Sequence, residues 1–169
     1  MKYIKLLISI FLFCSISANS QSIFDDIIFS KNMKRIEKGK LSKAFESIEK
    51  VLSKNDDELR NNFAISLIYV NKKFNQYSTE DAYNYLLKSE TEFNLIIDEK
   101  PLRKLSKDHI NDSIYLVNFK NICNRALEDA IVINTIDNYN HYIRFYRKSS
   151  LENNKIAVAK RNIVAYNTA

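Results

Sequence analysis

The sequence predicts an all-α protein, and three observations carry that expectation. One glycine, one proline and no tryptophan in 169 residues leave too few breakers for the tight turns of a β-sandwich or barrel. Lys, Glu, Asn, Ile, Leu and Ala are abundant, and apolar residues recur at i, i+3, i+4 and i+7 along several segments. Short polar stretches separate these segments, giving about seven helices joined by brief connections after an N-terminal leader.

The leader is the first element. Lys2 and Lys5 precede an apolar run from Leu6 to Ile16, and the polar stretch Ser17-Ala18-Asn19-Ser20 follows. This is the pattern of a secretory signal peptide, with small Ala18 and Ser20 placed for cleavage after Ser20. The alternative, an uncleaved anchor, needs roughly 20 apolar residues to span a bilayer, and the run is shorter. Cys14 follows Leu12 and Phe13 rather than a small residue, which argues against lipidation. The predicted domains are therefore a signal peptide over 1–20 and a helical domain over 21–169, exported to the periplasm or to the cell surface and extracellular space. Removing the two leader lysines takes the formal charge from +6 to +4, and no transmembrane helix is expected in the remainder. Cys123 is then the sole cysteine, so no internal disulfide forms and stability must come from packing. Its neighbours Ile122, Ala126 and Leu127 make it a small buried hydrophobe rather than a reactive thiol.

The helices follow in order. Residues 22–38 place Phe24, Ile27, Ile28, Met33 and Ile36 on one side. Leu41, Ala44, Phe45, Ile48, Val51 and Leu52 form an apolar stripe over three turns of a second, amphipathic helix. Gly39 lies between the two, where a helix that reverses within two or three residues needs a left-handed residue just past its end. Residues 59–71 are apolar around most of the circumference, as in a helix packed on two sides. Ser78 or Thr79 caps a helix running to about Ile97 that carries Ala82, Tyr85, Leu86, Ser89, Phe93 and Ile96. Pro101 marks the next boundary. A long helix spans Asp108 to about Ile133. Thr135 caps a short one with Ile136, Tyr139, Ile143 and Tyr146, and Leu151 begins a last helix with Ile156, Ala159, Ile163 and Tyr166.

Helical pairs recurring every 34 to 45 residues are the signature of an α-solenoid. Residues 25 to 58 resemble a tetratricopeptide repeat. Gly39 stands at the turn, Leu41 in the large apolar slot, Ala44 at the small position where the two helices touch, and Ile48 and Val51 on the inner face. Ile28 takes the usual tryptophan slot, while Lys31 and Asn32 depart from the leucine and small residue expected there. Ile65, Ser66 and Tyr69 fall in register in the next unit, and Ala82, Leu86 and Ser89 restore the pattern after a longer turn. The segments "NTIDNYNHYIRFYRKSS" and "AVAKRNIVAYNTA" resemble degenerate repeats in exported proteins of Bacteroidota and, more loosely, the repeats of BamD-like envelope lipoproteins. The resemblance implies antiparallel hairpins stacked as a short solenoid, with a concave face lined by residues such as Arg35, Asn62, Ser66 and Tyr69 that binds a protein or peptide. A generic helical bundle is the alternative architecture.

Chemistry is sparse. His109 and His141 lack metal-ligand spacing to each other or to Cys123, so no metal or other cofactor is expected. The pairs Asp25-Asp26, Asp56-Asp57 and Glu128-Asp129 sit at helix starts, linkers or surfaces where solvated acids belong. A single glycine rules out Gly-rich phosphate loops and the nucleophile elbow, so the chain is not expected to be an enzyme. Basic residues cluster twice. Lys31, Lys34, Arg35, Lys38, Lys40 and Lys43 surround the first hairpin. Arg144, Arg147, Lys148, Lys155, Lys160 and Arg161 lie near the C-terminus, with Tyr139, Tyr142, Phe145 and Tyr146 interleaved. Such a mixture suits nucleic acid, but export argues against it. An anionic envelope surface or an acidic partner is the better match, beside the plain alternative of a solvated face. Asp112-Ser113-Ile114 matches a short O-glycosylation acceptor pattern of Bacteroidota, and an N-cap role for Asp112 accounts for it equally well. The leading functional expectation is a non-catalytic scaffold binding a protein or peptide in the cell envelope. Its alternative is a structural or adhesion protein that holds an anionic polymer through its basic patches.

Overall fold

A computed structural model describes residues 25–54 and 58–168. The segment expected to be a signal peptide and the pair Asp56-Asp57 lie outside the described residues. Eight helices and no strand occur among the described residues, so the all-α class holds. The chain divides into two compact units, meeting in sequence between Asp57 and Glu58.

The first unit is the expected hairpin. Its α1 covers residues 25–37 and α2 covers Leu41–Leu52. Gly39 adopts φ +70°. Its N–H donates to the Ile36 carbonyl at 2.9 Å, and the Lys40 N–H donates to the Arg35 carbonyl at 2.8 Å. This pair of bonds is the Schellman closure that satisfies the last carbonyls of a helix and turns the chain back. Leu41, Ala44, Phe45 and Ile48 are buried, the stripe that their spacing dictates.

In the second unit α3 (Glu58–Tyr69) pairs along its length with α4 (Thr79–Asn94). Then come α5 (Glu99–Lys107), α6 (Asp112–Ile133), α7 (Ile136–Phe145) and α8 (Leu151–Thr168). Helix α6 packs on α4 and carries both α7 and α8, which also pack on each other. The side chains of Ser78, Asn111 and Thr135 cap α4, α6 and α7 by accepting a backbone N–H three residues on, as short polar residues do at helix starts.

Three expectations change. Pro101 does not mark a boundary but sits third in α5, after the Asp98 cap. A proline is tolerated there because first-turn N–H groups have no intrahelical partner anyway. Helix α6 accordingly starts at Asp112, and its cap is Asn111 rather than Asp112, so Ser113 stands exposed in the first turn. Helix α8 buries only Ala157 of its eighteen residues. Its apolar residues Ile156, Ile163 and Tyr166 are 38, 56 and 86% exposed.

Glycine also proves unnecessary for turning. His109 adopts φ +59° just past α5, with its N–H on the Ser106 carbonyl at 3.1 Å and the Ile110 N–H on the Leu105 carbonyl at 2.9 Å. That is the same closure as at Gly39. Asn134 ends α6 at φ +55°.

The core of the second unit is aromatic. Tyr83 meets the rings of Phe119, Tyr146 and Phe145 at centroid distances of 5.3 to 5.5 Å, the range in which edge-to-face pairs are favourable. The buried hydroxyl of Ser89 bridges the Leu59 carbonyl at 2.8 Å and the Tyr115 hydroxyl at 2.7 Å. That small position therefore ties α3, α4 and α6 together by hydrogen bonds as well as by close approach. Arg60, its side chain 5% exposed, reaches Asp108 at 3.0 Å and fixes the turn after α5 to α3.

Candidate binding surfaces

Helix α3 carries three of the four residues expected to face a partner. Nine of its twelve residues are buried, and packing on most sides consumes the polar ones. Ser66 is fully buried, and its hydroxyl donates to the Phe63 carbonyl at 2.6 Å. Asn62 is buried, and its Nδ2 donates to Glu92 Oε1 at 3.4 Å. The structure thus takes Asn62 and Ser66 off the surface. Tyr69 alone of the three is half-exposed. Its ring stacks on Tyr85 of α4, with centroids 5.7 Å apart and planes 10° from parallel, and meets the edge of Phe74 at 5.6 Å. The ammonium of Lys88 lies 5.2 Å from the Tyr85 ring centre. Sequence reasoning placed Tyr85 in the packing stripe and did not single out Lys88. Their i, i+3 spacing on α4 was the available signal.

The fourth residue, Arg35, belongs to the hairpin of the first unit. Here α1 and the start of α2 enclose an open groove of about 740 Å³. It is lined by Lys31, Lys34, Arg35, Lys38, Lys40 and Lys43, together with Asp26, Ile27 and Ser30. Arg35 is half-buried. Its Nη1 donates to Asn32 Oδ1 at 2.9 Å and to the Lys43 carbonyl at 3.4 Å. Asn32 is fully buried, and its Nδ2 has no hydrogen-bond partner among the described residues.

Two of the C-terminal basic residues are engaged by neighbouring side chains. Lys148 is held by Glu90, lies 4.5 Å from the centre of the Phe119 ring, and donates its backbone N–H to the Tyr83 hydroxyl at 3.2 Å, so it works as a strut onto α4 and α6. Arg161 donates to Asn140 and to the neighbouring Asn162. Arg144, Arg147 and Lys160 are exposed. Tyr139, Tyr142 and Tyr146 are buried and present no stacking platform for bases, which bears against the nucleic-acid reading.

No match is found among known protein families, curated proteins or solved structures. What remains is the chemistry of the groups themselves. A second, smaller cleft of about 300 Å³ lies between the start of α4, the end of α6 and α7. On its wall the Tyr77 hydroxyl donates to Asp129 Oδ2 at 2.7 Å, and His141 Nε2 stands 3.3 Å from Glu80. Burial, and then the Asp129 carboxylate, push the Tyr77 hydroxyl well above its ordinary value, so it stays a proton donor rather than a base. Burial holds the Cys123 thiol up at about 11, which keeps it protonated and poorly nucleophilic at neutral pH. Among the described residues no three His, Cys, Asp or Glu side chains are grouped to hold a metal ion. No described helix is long and apolar enough to cross a membrane.

Proposed function

We propose that this chain is an exported, non-catalytic helical-repeat protein of tetratricopeptide type that serves as a scaffold for a protein or peptide partner in the cell envelope. The observation that carries the reading is the platform on the α3–α4 hairpin. Tyr69 and Tyr85 are stacked in parallel, braced by Phe74, and overlaid by Lys88. Rigid tyrosines offer a large amphipathic contact at small entropic cost and are enriched where proteins meet. The leader of basic, apolar and small residues supports export, and the successive pairing of α3 with α4 and of α7 with α8 supports the repeat reading. The test immobilises the mature chain and captures from the envelope fraction. A specific partner must be held at about 300 mM salt and lost with Tyr85→Ala and with Lys88→Gln, while helical content and melting stay as in wild type. Capture unaffected by both substitutions overturns the reading.

A second reading, binding of an anionic envelope polymer, is favoured by Arg144, Arg147 and Lys160, exposed and without an ion pair among the described residues. Their joint change to glutamine then abolishes a binding that moderate salt also abolishes.

A further inference from the structure

We propose that the groove of the α1–α2 hairpin is a binding site for a linear phosphate polymer. This inference does not rest on the tyrosine platform, and it uses different residues from the C-terminal patch.

Six cationic side chains line the groove and Asp26 is the lone acid among its lining residues. None of the five lysines forms an ion pair among the described residues. Cations this close repel one another, an arrangement that gains free energy only when a polyanion enters and releases its counter-ions. Lys31 and Lys34 share one face of α1 and Lys38 follows just past its end, a rise of roughly 10 Å at about 1.5 Å per residue, so they offer a row of charges rather than a point. Lys40 and Lys43 close the other wall from the start of α2. That helix has no side-chain cap and no acid in its first turn, so its unpaired N–H groups add to the positive potential.

Arg35 distinguishes the groove from a merely basic face. Both of its fixed hydrogen bonds leave through Nη1, to Asn32 and to the Lys43 carbonyl. The Nε–Nη2 edge is left uncommitted, and that edge matches two oxygens of one phosphate. The buried Asn32 that aims it retains an unpaired Nδ2, a cost that hairpin packing alone does not explain. A polymer is preferred to a lipid surface because the site is a groove between two helices and not a flat face. A phosphate polymer is preferred to an acidic peptide because its charges lie in the backbone itself and meet the lysine row continuously, whereas the side chains of an extended peptide point to alternate faces.

The experiment titrates the mature chain with linear inorganic polyphosphate, a polyglutamate peptide and vesicles of anionic phospholipid, each at about 50 and 300 mM salt. Polyphosphate is expected to bind most tightly and to weaken steeply with salt. The exposed triple variant Lys34→Gln/Lys38→Gln/Lys43→Gln is expected to lose about tenfold or more and to lower the log–log salt slope by about two. Arg35→Lys keeps the charge and the slope but loses several-fold at every salt concentration. Asn32→Leu weakens binding while folding stability holds or rises, which a purely structural asparagine would not do. Arg144→Gln/Arg147→Gln/Lys160→Gln leaves polyphosphate binding intact. Equal or tighter binding of polyglutamate, binding of vesicles alone, no binding at low salt, or loss of binding with the C-terminal triple variant each overturns the proposal.

Discussion

Swapping glycine in and out of two helix ends isolates the energy of one backbone conformation. Gly39 at φ +70° and His109 at φ +59° end their helices with the same pair of closing hydrogen bonds. A Cβ added at Gly39 meets nothing within 4 Å, so Gly39→Ala carries no clash and its cost is conformational. A left-handed L-residue costs roughly 1–2 kcal/mol, and the smaller freedom of alanine in the unfolded chain returns part of that, leaving a loss of about 1 kcal/mol. His109→Gly reverses the exchange. Its side chain is exposed, and the variant is expected to gain between about 0.5 and 1 kcal/mol. Asn134→Gly is the control. Asn134 is also left-handed, but its Oδ1 accepts the Tyr139 hydroxyl at 2.9 Å, and asparagine tolerates the conformation, so no net gain is expected. Urea unfolding followed by circular dichroism reads all three. The changes shift the midpoint and leave the slope alone, because no surface is newly exposed. A neutral Gly39→Ala together with a destabilising His109→Gly would refute the argument.

Three further outcomes follow from the second unit. Ser89→Ala strands the buried Tyr115 hydroxyl and costs about 1–3 kcal/mol, Tyr115→Phe costs less, and the double variant costs less than their sum, a coupling that a double-mutant cycle in urea measures. Arg60→Ala breaks the contact with Asp108 at 3.0 Å and lowers the melting temperature, with a loss of about 2 kcal/mol that neutralising exposed Arg103 does not reproduce. Stability falls with rising alkalinity. Burial holds Cys123 at about 11 against its usual 9.0, and Tyr115 and Tyr146 at about 12 against 10.0. The unfolded chain therefore gives up protons that the folded chain retains, and the loss begins near pH 9 and grows towards pH 12. Cys123→Ala delays its onset in a pH series of thermal melts.

Elements governed by local chemistry were legible in the sequence. Gly39 and the stripe Leu41, Ala44, Phe45 and Ile48 fix the first hairpin within a dozen residues, and Thr135 caps α7 as its type requires. Helix α5 escaped because Pro101 reads as a breaker until its distance from the Asp98 cap is known, and because only Leu102 and Leu105 mark an apolar side. In α8 the inward face could not be chosen from sequence, since apolar residues occur around the helix and contact with α6 and α7 selects Ala157.

The same division runs through the candidate sites and follows sequence separation. The partners that hold Arg35 lie three and eight positions away, so helical periodicity and the one turn at Gly39 place it among the lysines of the groove. Asn62 is held by Glu92, thirty positions on, and Ser66 is buried in a helix whose chief neighbour is α4. A repeat pattern assigns such residues to a face, but whether that face is open depends on how closely the next helices pack. Tyr69 stays half-exposed because α3 ends there, where the chain turns through residues 70–78 towards α4. Surface charge is therefore readable from spacing on one helix, whereas the exposure of a polar inner face is settled by distant packing. The lysine cluster of the first hairpin is thus visible in the sequence, whereas the tyrosine platform is visible only in the fold.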